Sequence, residues 1–259
     1  YPERIHFSFV IVFSLIWVAL VYAPVVHWVW GGGFLAEMGL IDFAGGVVVH
    51  VTAGTSALVL AMMLGPRRGF PNEVQPPHNP GMTMIGAAML WVGWFGFNAG
   101  SALAADGGAA LAMTVTHIAA AAGAIAWSVM ELIRYRKASL IGAVTGMVAG
   151  LATITPASGS VGPIGGLCLG LAGGIVCYFI TQLVKQRLKI DDSLDVFAVH
   201  GIGGALGTLL VAFFVSVTLG GNGLSEGMTV GSQLGIQAFG IAVVAVWSGV
   251  LTFIIATVV

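Results

Sequence analysis

Two histidines inside long apolar stretches are the residues whose chemistry first needs an explanation. His50 follows Asp42 by eight positions and His200 follows Asp195 by five, and in both segments a Phe-Ala pair and a later glycine recur. An imidazole can donate, accept or pass on a proton near neutral pH. Ionisable side chains in an apolar environment are costly and often mark a functional site. The repeated context predicts that His50 and His200 act together, whereas His117 lacks it and is interpreted as a packing residue.

The two aspartates in these segments have a structural interpretation of their own. A carboxylate at the start of a helix accepts hydrogen bonds from free backbone N–H groups and suits the helix dipole. We therefore expect Asp42 and Asp195 to cap the helices that carry the histidines. Asp42 would also add negative potential where a cation enters.

A group of aromatic residues has the chemistry to bind a small ammonium-like cation. Trp30 precedes three glycines, and Trp94, Phe97 and Ser101 follow one another along a later apolar stretch. Tryptophan is the best side chain for a cation–π contact, although tryptophans also gather at membrane interfaces, which fits Trp28 well. Ser101 and Phe97 are expected at the same end of the molecule as Trp30, with Trp94 about one turn deeper. The pattern predicts a cation-binding vestibule above the histidines.

These side chains must be positioned by membrane-spanning helices. Hydrophobic residues make up 58% of the 259-residue chain, charged residues make up 7%, and the mean hydropathy is +1.02. This composition excludes a water-soluble globule and a disordered chain, and a net charge of −1 without a basic stripe excludes nucleic-acid binding. A helical bilayer crossing needs about twenty apolar residues. Eight such runs occur, at 6–27, 43–64, 82–105, 109–133, 139–157, 161–184, 194–218 and 232–258. The runs do not alternate as barrel strands would, so we predict an all-α integral membrane protein with one transmembrane domain over 1–259.

The basic residues all fall on one side of the predicted bundle. The nine of them precede the first run or lie in alternate connections, at Arg4, Arg67, Arg68, Arg134, Arg136, Lys137, Lys185, Arg187 and Lys189. Cytoplasmic loops are enriched in Lys and Arg. We therefore predict a multi-pass protein of the cell membrane with Arg4 and the C-terminal end in the cytoplasm. The opposite side carries acidic residues, which suit the entry of a cation: Glu37, Asp42, Asp106 and Glu226.

Five short segments follow one another in order along nearly the whole chain. They are Trp30-Gly31-Gly32-Gly33, Asp42-Phe43-Ala44-Gly45-Gly46 with His50, Gly93-Trp94-Phe95-Gly96-Phe97-Asn98-Ala99-Gly100-Ser101, Thr155-Pro156-Ala157, and Asp195-Val196-Phe197 with His200-Gly201. Together they resemble the ammonium transporter (Amt/Mep/Rh) family, in its bacterial and archaeal Amt branch. The resemblance implies an eleven-helix, inverted-repeat fold that assembles as a homotrimer. On that template the chain begins at the fourth span and lacks the first three helices and the cytoplasmic C-terminal tail.

The resemblance also implies a function and a role for each candidate residue. The implied roles are substrate recruitment for Trp30, Ser101 and Asp42, gating for Phe97, and pore lining for His50, His200, Trp94 and Thr155. Ammonium would be bound at an outer aromatic vestibule and deprotonated, and ammonia would cross an apolar pore. The implied partners are ammonium, ammonia or methylammonium, the lipid bilayer, and a P-II-type regulator of full-length members. No cofactor, bound metal or enzymatic activity is expected.

Two functions of other classes use the same residues. A membrane-embedded metal hydrolase would need at least three convergent ligands, and only His50, His200 and an aspartate are at hand. An ammonium sensor would bind its ligand in the same vestibule and signal through the C-terminal helix to a further domain. We expect transport, with sensing as the second hypothesis and catalysis as the third.

Overall fold

Eight long helices account for the predicted spans. The computed structural model describes residues 4–73 and 77–259, and within them eight helices are long and apolar enough to cross a membrane. In chain order they are α1 (Phe7–Glu37), α2 (Gly46–Leu64), α3 (Pro80–Gly100), α4 (Gly107–Tyr135), α5 (Leu140–Ala157), α6 (Pro163–Arg187), α7 (Phe197–Phe214) and α8 (Val230–Val258). The described residues contain no β-strand. The predicted all-α membrane fold with eight spans is confirmed.

The first helix runs further than its predicted apolar run, which stopped at the polar His27. The helix is continuous to Trp30. It then breaks at the glycines, where Gly32 has a φ of +75°, before one more helical turn at Phe34–Glu37. Val29 is 5% exposed, and its packing in the bundle accounts for the extra turn. Trp30 therefore stands at the end of a helix, beside the break.

The two helices that carry the paired histidines begin alike. The first turns of α2 (Gly46–Val51) and of α7 (Phe197–Ile202) are wider than an α-helical turn. Their hydrogen bonds join residues five apart, and such turns are frequent at functional sites. His50 and His200 both lie inside these wide turns. The echo between the two segments therefore extends from the sequence to the backbone.

Glycine lets the helices of the bundle approach closely. A Cβ added at Gly123 of α4 would lie 2.3 Å from the carbonyl oxygen of Gly146, and one at Gly150 of α5 would lie 2.1 Å from that of Ala119. Because only a hydrogen fits at these points, α4 and α5 pack backbone to backbone, as small residues in membrane helices permit.

The aliphatic side chains form two buried groups, one on each side of the crossing of α2 and α7. The first connects α1, α2, α8 and the segment between α1 and α2: Val25, Val29, Leu35, Leu40, Val47, Val48, Val51 and Val244. On the other side, Val211 of α7 packs with Ile154 of α5 and Leu169 of α6. Since α2 belongs to one group and α7 to the other, their crossing lies where the two groups meet.

Candidate functional site

The site forms where α2 and α7 cross. A Cβ added at Gly54 would lie 2.3 Å from the Cα of Gly201. One added at Gly204 would lie 2.6 Å from the Cβ of His50 and from the carbonyl oxygen of Gly46. Rising residue numbers in α2 thus meet falling numbers in α7, so the helices run antiparallel. Gly54 and Gly204 each follow a histidine by four positions, and the close approach that they allow brings the two imidazoles together.

The two imidazole rings share a hydrogen bond. Nδ1 of His50 and Nδ1 of His200 are 3.2 Å apart, and the ring centroids are 5.1 Å apart. One of these nitrogens must donate and the other accept, so the neutral ring that donates has a bare Nε2 and its partner has an Nε2–H. His50 is 3% exposed, and its Nε2 has no hydrogen-bond partner among the described residues. The pair therefore carries one accepting and one donating Nε2, and the tautomer decides which of them belongs to His50.

Two aromatic residues of α3 lie over the histidine pair. The ring of Trp94 is nearly parallel to that of His200, with an angle of 13° and centroids 6.3 Å apart, and it lies 5.5 Å from His50. Its indole N–H donates to the hydroxyl of Thr155 at 3.0 Å, and this hydroxyl donates to a backbone carbonyl of α5. Phe97 stands edge-on to Trp94 at 5.6 Å and lies 6.1 Å from His50. The hydrogen bond to Thr155 fixes the plane in which Trp94 faces both histidines.

A groove of about 540 Å³ opens beside these rings. It is lined by Val49, His50, Gly86, Met89, Leu90, Gly93, Trp94 and Phe97. The polar side-chain atoms in this lining belong to an imidazole and an indole. A hydrated ion would lose its water there without replacement ligands. A small neutral molecule that makes one hydrogen bond to an imidazole is better suited to the groove.

The start of α2, which we call the Asp42 end, is organised by one carboxylate. Asp42 is 6% exposed. Its carboxylate accepts hydrogen bonds from the backbone N–H groups of Gly45, Gly46, Val47 and Val48. Gly45, with a φ of +114°, makes the turn that directs these groups toward the carboxylate. Burial raises the pKa of Asp42, and the four N–H groups oppose that shift. The predicted cap is confirmed.

Trp30 is attached to the same turn. Its indole N–H donates to the carbonyl oxygen of Asp42 at 2.8 Å, and the side chain remains 43% exposed. Phe43, which follows Asp42 in the chain, donates its backbone N–H to the carbonyl oxygen of Pro156 at 2.9 Å. Since Pro156 follows Thr155 directly, this bond ties the Asp42 end to the group around Trp94.

Ser101 reaches that group through Phe97. Its hydroxyl donates to the carbonyl oxygen of Phe97 at 2.9 Å, one turn back along α3, and the Phe97 side chain is 39% exposed. Six of the eight predicted site residues are thus connected around the histidines. The other two, Trp30 and Asp42, lie together at the Asp42 end.

At the start of α7, the prediction that Asp195 caps the helix is wrong. The carboxylate of Asp192 accepts the N–H of Phe197 at 2.8 Å, whereas Asp195 pairs with Nζ of Lys185 at 2.7 Å. Asp195 has a φ of +57°, so the chain turns at this residue just before the helix. Burial raises its pKa, and the ammonium group of Lys185 opposes the shift. Asp192 precedes its histidine by eight positions, so the spacing is the same in both segments.

A further aspartate beside this turn holds two arginines. Asp191 is 2% exposed and accepts from Nε and Nη2 of Arg67 at 2.9 and 3.0 Å, with Nη1 of Arg4 at 3.5 Å. Burial alone would raise its pKa, but the hydrogen bonds and charge of Arg67, with the charge of Arg4, hold the pKa below its usual value. Sequence reasoning missed Asp191 and Asp192. The available signal was a pair of acidic residues eight and nine positions before a mid-span histidine.

One protein family matches the whole chain. The model of the Ammonium Transporter Family matches residues 1–259. The chain belongs to the ammonium transporter family. The ammonium transporter of Bacillus subtilis is 42% identical over 257 residues, which are 98% of this chain and 63% of that protein. The family resemblance seen in the five segments is confirmed.

Two solved structures with different descriptions share the fold of this ammonium transporter family member. The crystal structure of Candida albicans Mep2 matches with a TM-score of 0.89 and 35% identity, covering 98% of this chain and 58% of that one. A structure described as a sensor Amt protein matches with a TM-score of 0.86 and 35% identity, covering 93% of this chain and 62% of that one. The fold is therefore shared with Mep2 and with a protein described as a sensor.

Proposed function

We propose that this membrane protein transports ammonium, binding the cation at the Asp42 end and conducting ammonia past the histidine pair. The observation that carries the proposal is the hydrogen-bonded pair of His50 and His200 beside an otherwise apolar groove. Such a groove has no ring of oxygen ligands to replace the water around sodium or potassium. Ammonia needs no full hydration shell, and an imidazole nitrogen can supply the hydrogen bond that it requires.

Recruitment would use exposed aromatic faces and one hydroxyl, from Trp30 at the Asp42 end and from Phe97 and Ser101 of α3. Trp30 and Phe97 are 43% and 39% exposed, and a cation over such a ring gains about 0.5–1 kcal/mol. Ser101 uses its proton on the carbonyl of Phe97, so the lone pairs of its oxygen stay available to an ammonium N–H. The carboxylate of Asp42 is occupied by four backbone N–H groups. Asp42 therefore orients Trp30 through its carbonyl oxygen, and its negative charge attracts the cation from a distance.

Entry into the groove would remove the proton. Loss of water disfavours the charged form of a group, so ammonium that leaves the vestibule releases a proton and continues as ammonia. A bare Nε2 on one histidine can accept that proton while its Nδ1–H passes to the partner ring, whose Nε2–H is then released. This relay moves one proton across the 3.2 Å contact between His50 and His200 and leaves both rings in the opposite tautomer. Two imidazoles so close titrate as a coupled pair.

Reconstitution of the intact protein into liposomes tests the proposal. An ammonium gradient should drive saturable uptake with a measurable current, and sodium or potassium gradients should not. His50→Ala should abolish the charge-carrying flux because it removes one half of the relay. His117→Ala is the matched control, since His117 lies against Trp91 of α3, with centroids 5.2 Å apart, and outside the pair. Undiminished currents in His50→Ala would contradict the relay, and absence of ammonium flux in the wild type would contradict transport.

Ammonium sensing is the second candidate, because the structure described as a sensor Amt protein has the same 35% identity to this chain as Mep2. A sensor would bind ammonium in the same vestibule without conducting it. Saturable ammonium binding in detergent, combined with no flux in liposomes, would favour sensing.

A metal hydrolase has less support, since no group of three or more His, Cys, Asp or Glu that could hold a metal occurs within 4–73 and 77–259. We propose a transporter and not an enzyme because the chain belongs to a transporter family.

We further propose that residues 1–259 form one transmembrane domain in the cell membrane, with Arg4 and Val259 on the cytoplasmic side. The one-sided distribution of Lys and Arg supports this orientation. A cysteine placed at Lys137 should then react with a membrane-impermeant maleimide only in opened cells, and one at Glu226 should react in intact cells. Membership of the family supports assembly as a homotrimer and docking of a P-II-type regulator. Cross-linking and co-purification with such a regulator test these two partners.

A further inference from the structure

Two glutamines in the first turns of α8 are buried in an otherwise apolar span. Gln233 is 2% exposed and Gln237 is 0% exposed, and they lie four positions apart on one face of the helix. Burying a carboxamide without hydrogen-bond partners is costly, so the partners of these two side chains indicate which part of the structure they stabilise.

Gln237 uses all of its hydrogen-bonding capacity. Its Oε1 accepts the backbone N–H of Ile41 at 2.9 Å and the Nε2–H of Gln233 at 3.0 Å. Its Nε2 donates to the carbonyl oxygens of Ile41 at 2.7 Å and Thr208 at 3.0 Å. A primary amide has two donors and two acceptor sites, so no further partner is needed. Gln233 adds a bond from its own Nε2 to the carbonyl oxygen of Gly39 at 3.0 Å.

These bonds hold the backbone immediately before the Asp42 end. Gln237 is hydrogen-bonded to both the N–H and the carbonyl of Ile41, the residue that precedes Asp42. The carbonyl oxygen of Asp42 accepts the indole N–H of Trp30, and its carboxylate caps the helix of His50. Its bond to Thr208 reaches α7, the helix that carries the other histidine of the pair. One side chain thus joins the Ile41–Asp42 segment, which leads into α2, to α7.

We propose that Gln237 is a positioning residue for substrate recruitment: it fixes the Ile41–Asp42 backbone and thereby the orientation of Trp30. This inference rests on the proposed transport function. Loss of the carboxamide leaves the N–H and the carbonyl of Ile41 unpaired, so the segment shifts to find water and Trp30 moves with it. Gln237 does not line the groove beside His50, so we expect its loss to affect recruitment more than conduction.

The test is the concentration dependence of ammonium uptake by liposomes that contain the intact protein. Gln237→Met keeps the volume and removes every hydrogen bond. It should raise the half-saturating ammonium concentration roughly tenfold, the order expected when buried groups lose their partners, with a maximal rate close to wild type. Gln233→Met should give a smaller rise, because the bonds of Gln237 to Ile41 remain.

The matched control is Thr252→Val, further along the same helix. Thr252 is also 0% exposed and is bonded to Ser56 and Trp17, away from the Asp42 end. An unchanged half-saturation in Gln237→Met, or an equal rise in Thr252→Val, would overturn the positioning role. If Gln237→Met does not reach the membrane, Gln233→Met tests the same network, because it removes the bond to Gly39 and one bond of Gln237; an unchanged half-saturation there would also overturn the proposal. Wild-type protein without saturable uptake would instead remove the proposed function itself.

Discussion

A single methyl group at the crossing of α2 and α7 should separate the histidine pair. In Gly54→Ala the new Cβ would lie 2.3 Å from the Cα and N of Gly201, about 1.1 Å short of the 3.4 Å at which ordinary contact begins. Both atoms belong to the backbone, so a side-chain rotation cannot relieve the clash. If α7 retreats by that distance, the Nδ1–Nδ1 separation of 3.2 Å between His50 and His200 grows to roughly 4 Å, outside hydrogen-bonding range.

The effect on stability should be smaller than the effect on transport. Overpacking a core lowers the free energy of unfolding by about 1–3 kcal/mol, while replacing Gly by Ala within a helix raises it by about 1 kcal/mol. We therefore expect a folded Gly54→Ala protein whose ammonium current in liposomes falls about tenfold, since one hydrogen bond of the relay is lost. The assay is the initial current on a rapid ammonium jump, normalised to reconstituted protein, with thermal unfolding in detergent measured in parallel.

Two other glycines provide graded controls. In Gly201→Ala the new Cβ would meet a ring carbon of Phe197 at 3.2 Å and the Cα of Gly54 at 3.3 Å, which needs a shift of only a few tenths of an ångström. In Gly249→Ala of α8 the nearest atom, on Thr55, is 3.4 Å away, an ordinary contact. Both variants should conduct nearly as well as the wild type. Wild-type currents in Gly54→Ala, or equal losses in all three variants, would refute the reasoning.

Three further predictions concern the two ends of the site. Trp30→Leu should raise the half-saturating ammonium concentration in uptake assays and weaken discrimination against other cations. Trp28→Leu, which removes a ring packed against Trp247, should not, and an equal effect would count against a cation–π role. Asp192→Ala should lower the free energy of unfolding by about 1 kcal/mol, and Asp192→Ser, which also caps, should restore most of it; equal losses would show that capping is not its role. Asp191→Asn should destabilise the protein at neutral pH in thermal unfolding. The folded-state pKa of Asp191 is lowered, so its stabilisation is complete above the ordinary value of 3.8 and is lost as the pH falls through the lower folded value; a difference from wild type that disappears already near pH 6 would contradict this.

Local patterns in the sequence were sufficient for the spans and for the choice of histidines. The length of each apolar run predicts a helix, because a bilayer requires one of that length and excludes unpaired backbone. The cap on α2 was also predictable, since Asp42 acts on N–H groups within six residues of itself. At α7 the same rule selected Asp195, the nearer aspartate. Its φ of +57° and its contact with Lys185 come from the turn in which it lies, and the cap passes to Asp192.

By itself, then, the sequence determined a membrane protein of eight helices, the family to which it belongs, and which polar residues lie inside the spans. The tertiary structure alone decided their partners: the Nδ1–Nδ1 bond between His50 and His200 spans 150 positions, and that from Ile41 to Gln237 spans 196. The physical reason is that a hydrogen bond tolerates a change of only a few tenths of an ångström in the distance between donor and acceptor. Whether two distant groups meet within that tolerance depends on how closely and at what rotation their helices pack. At this crossing those quantities are set by the contact of Gly54 with Gly201, which a run of apolar letters does not specify.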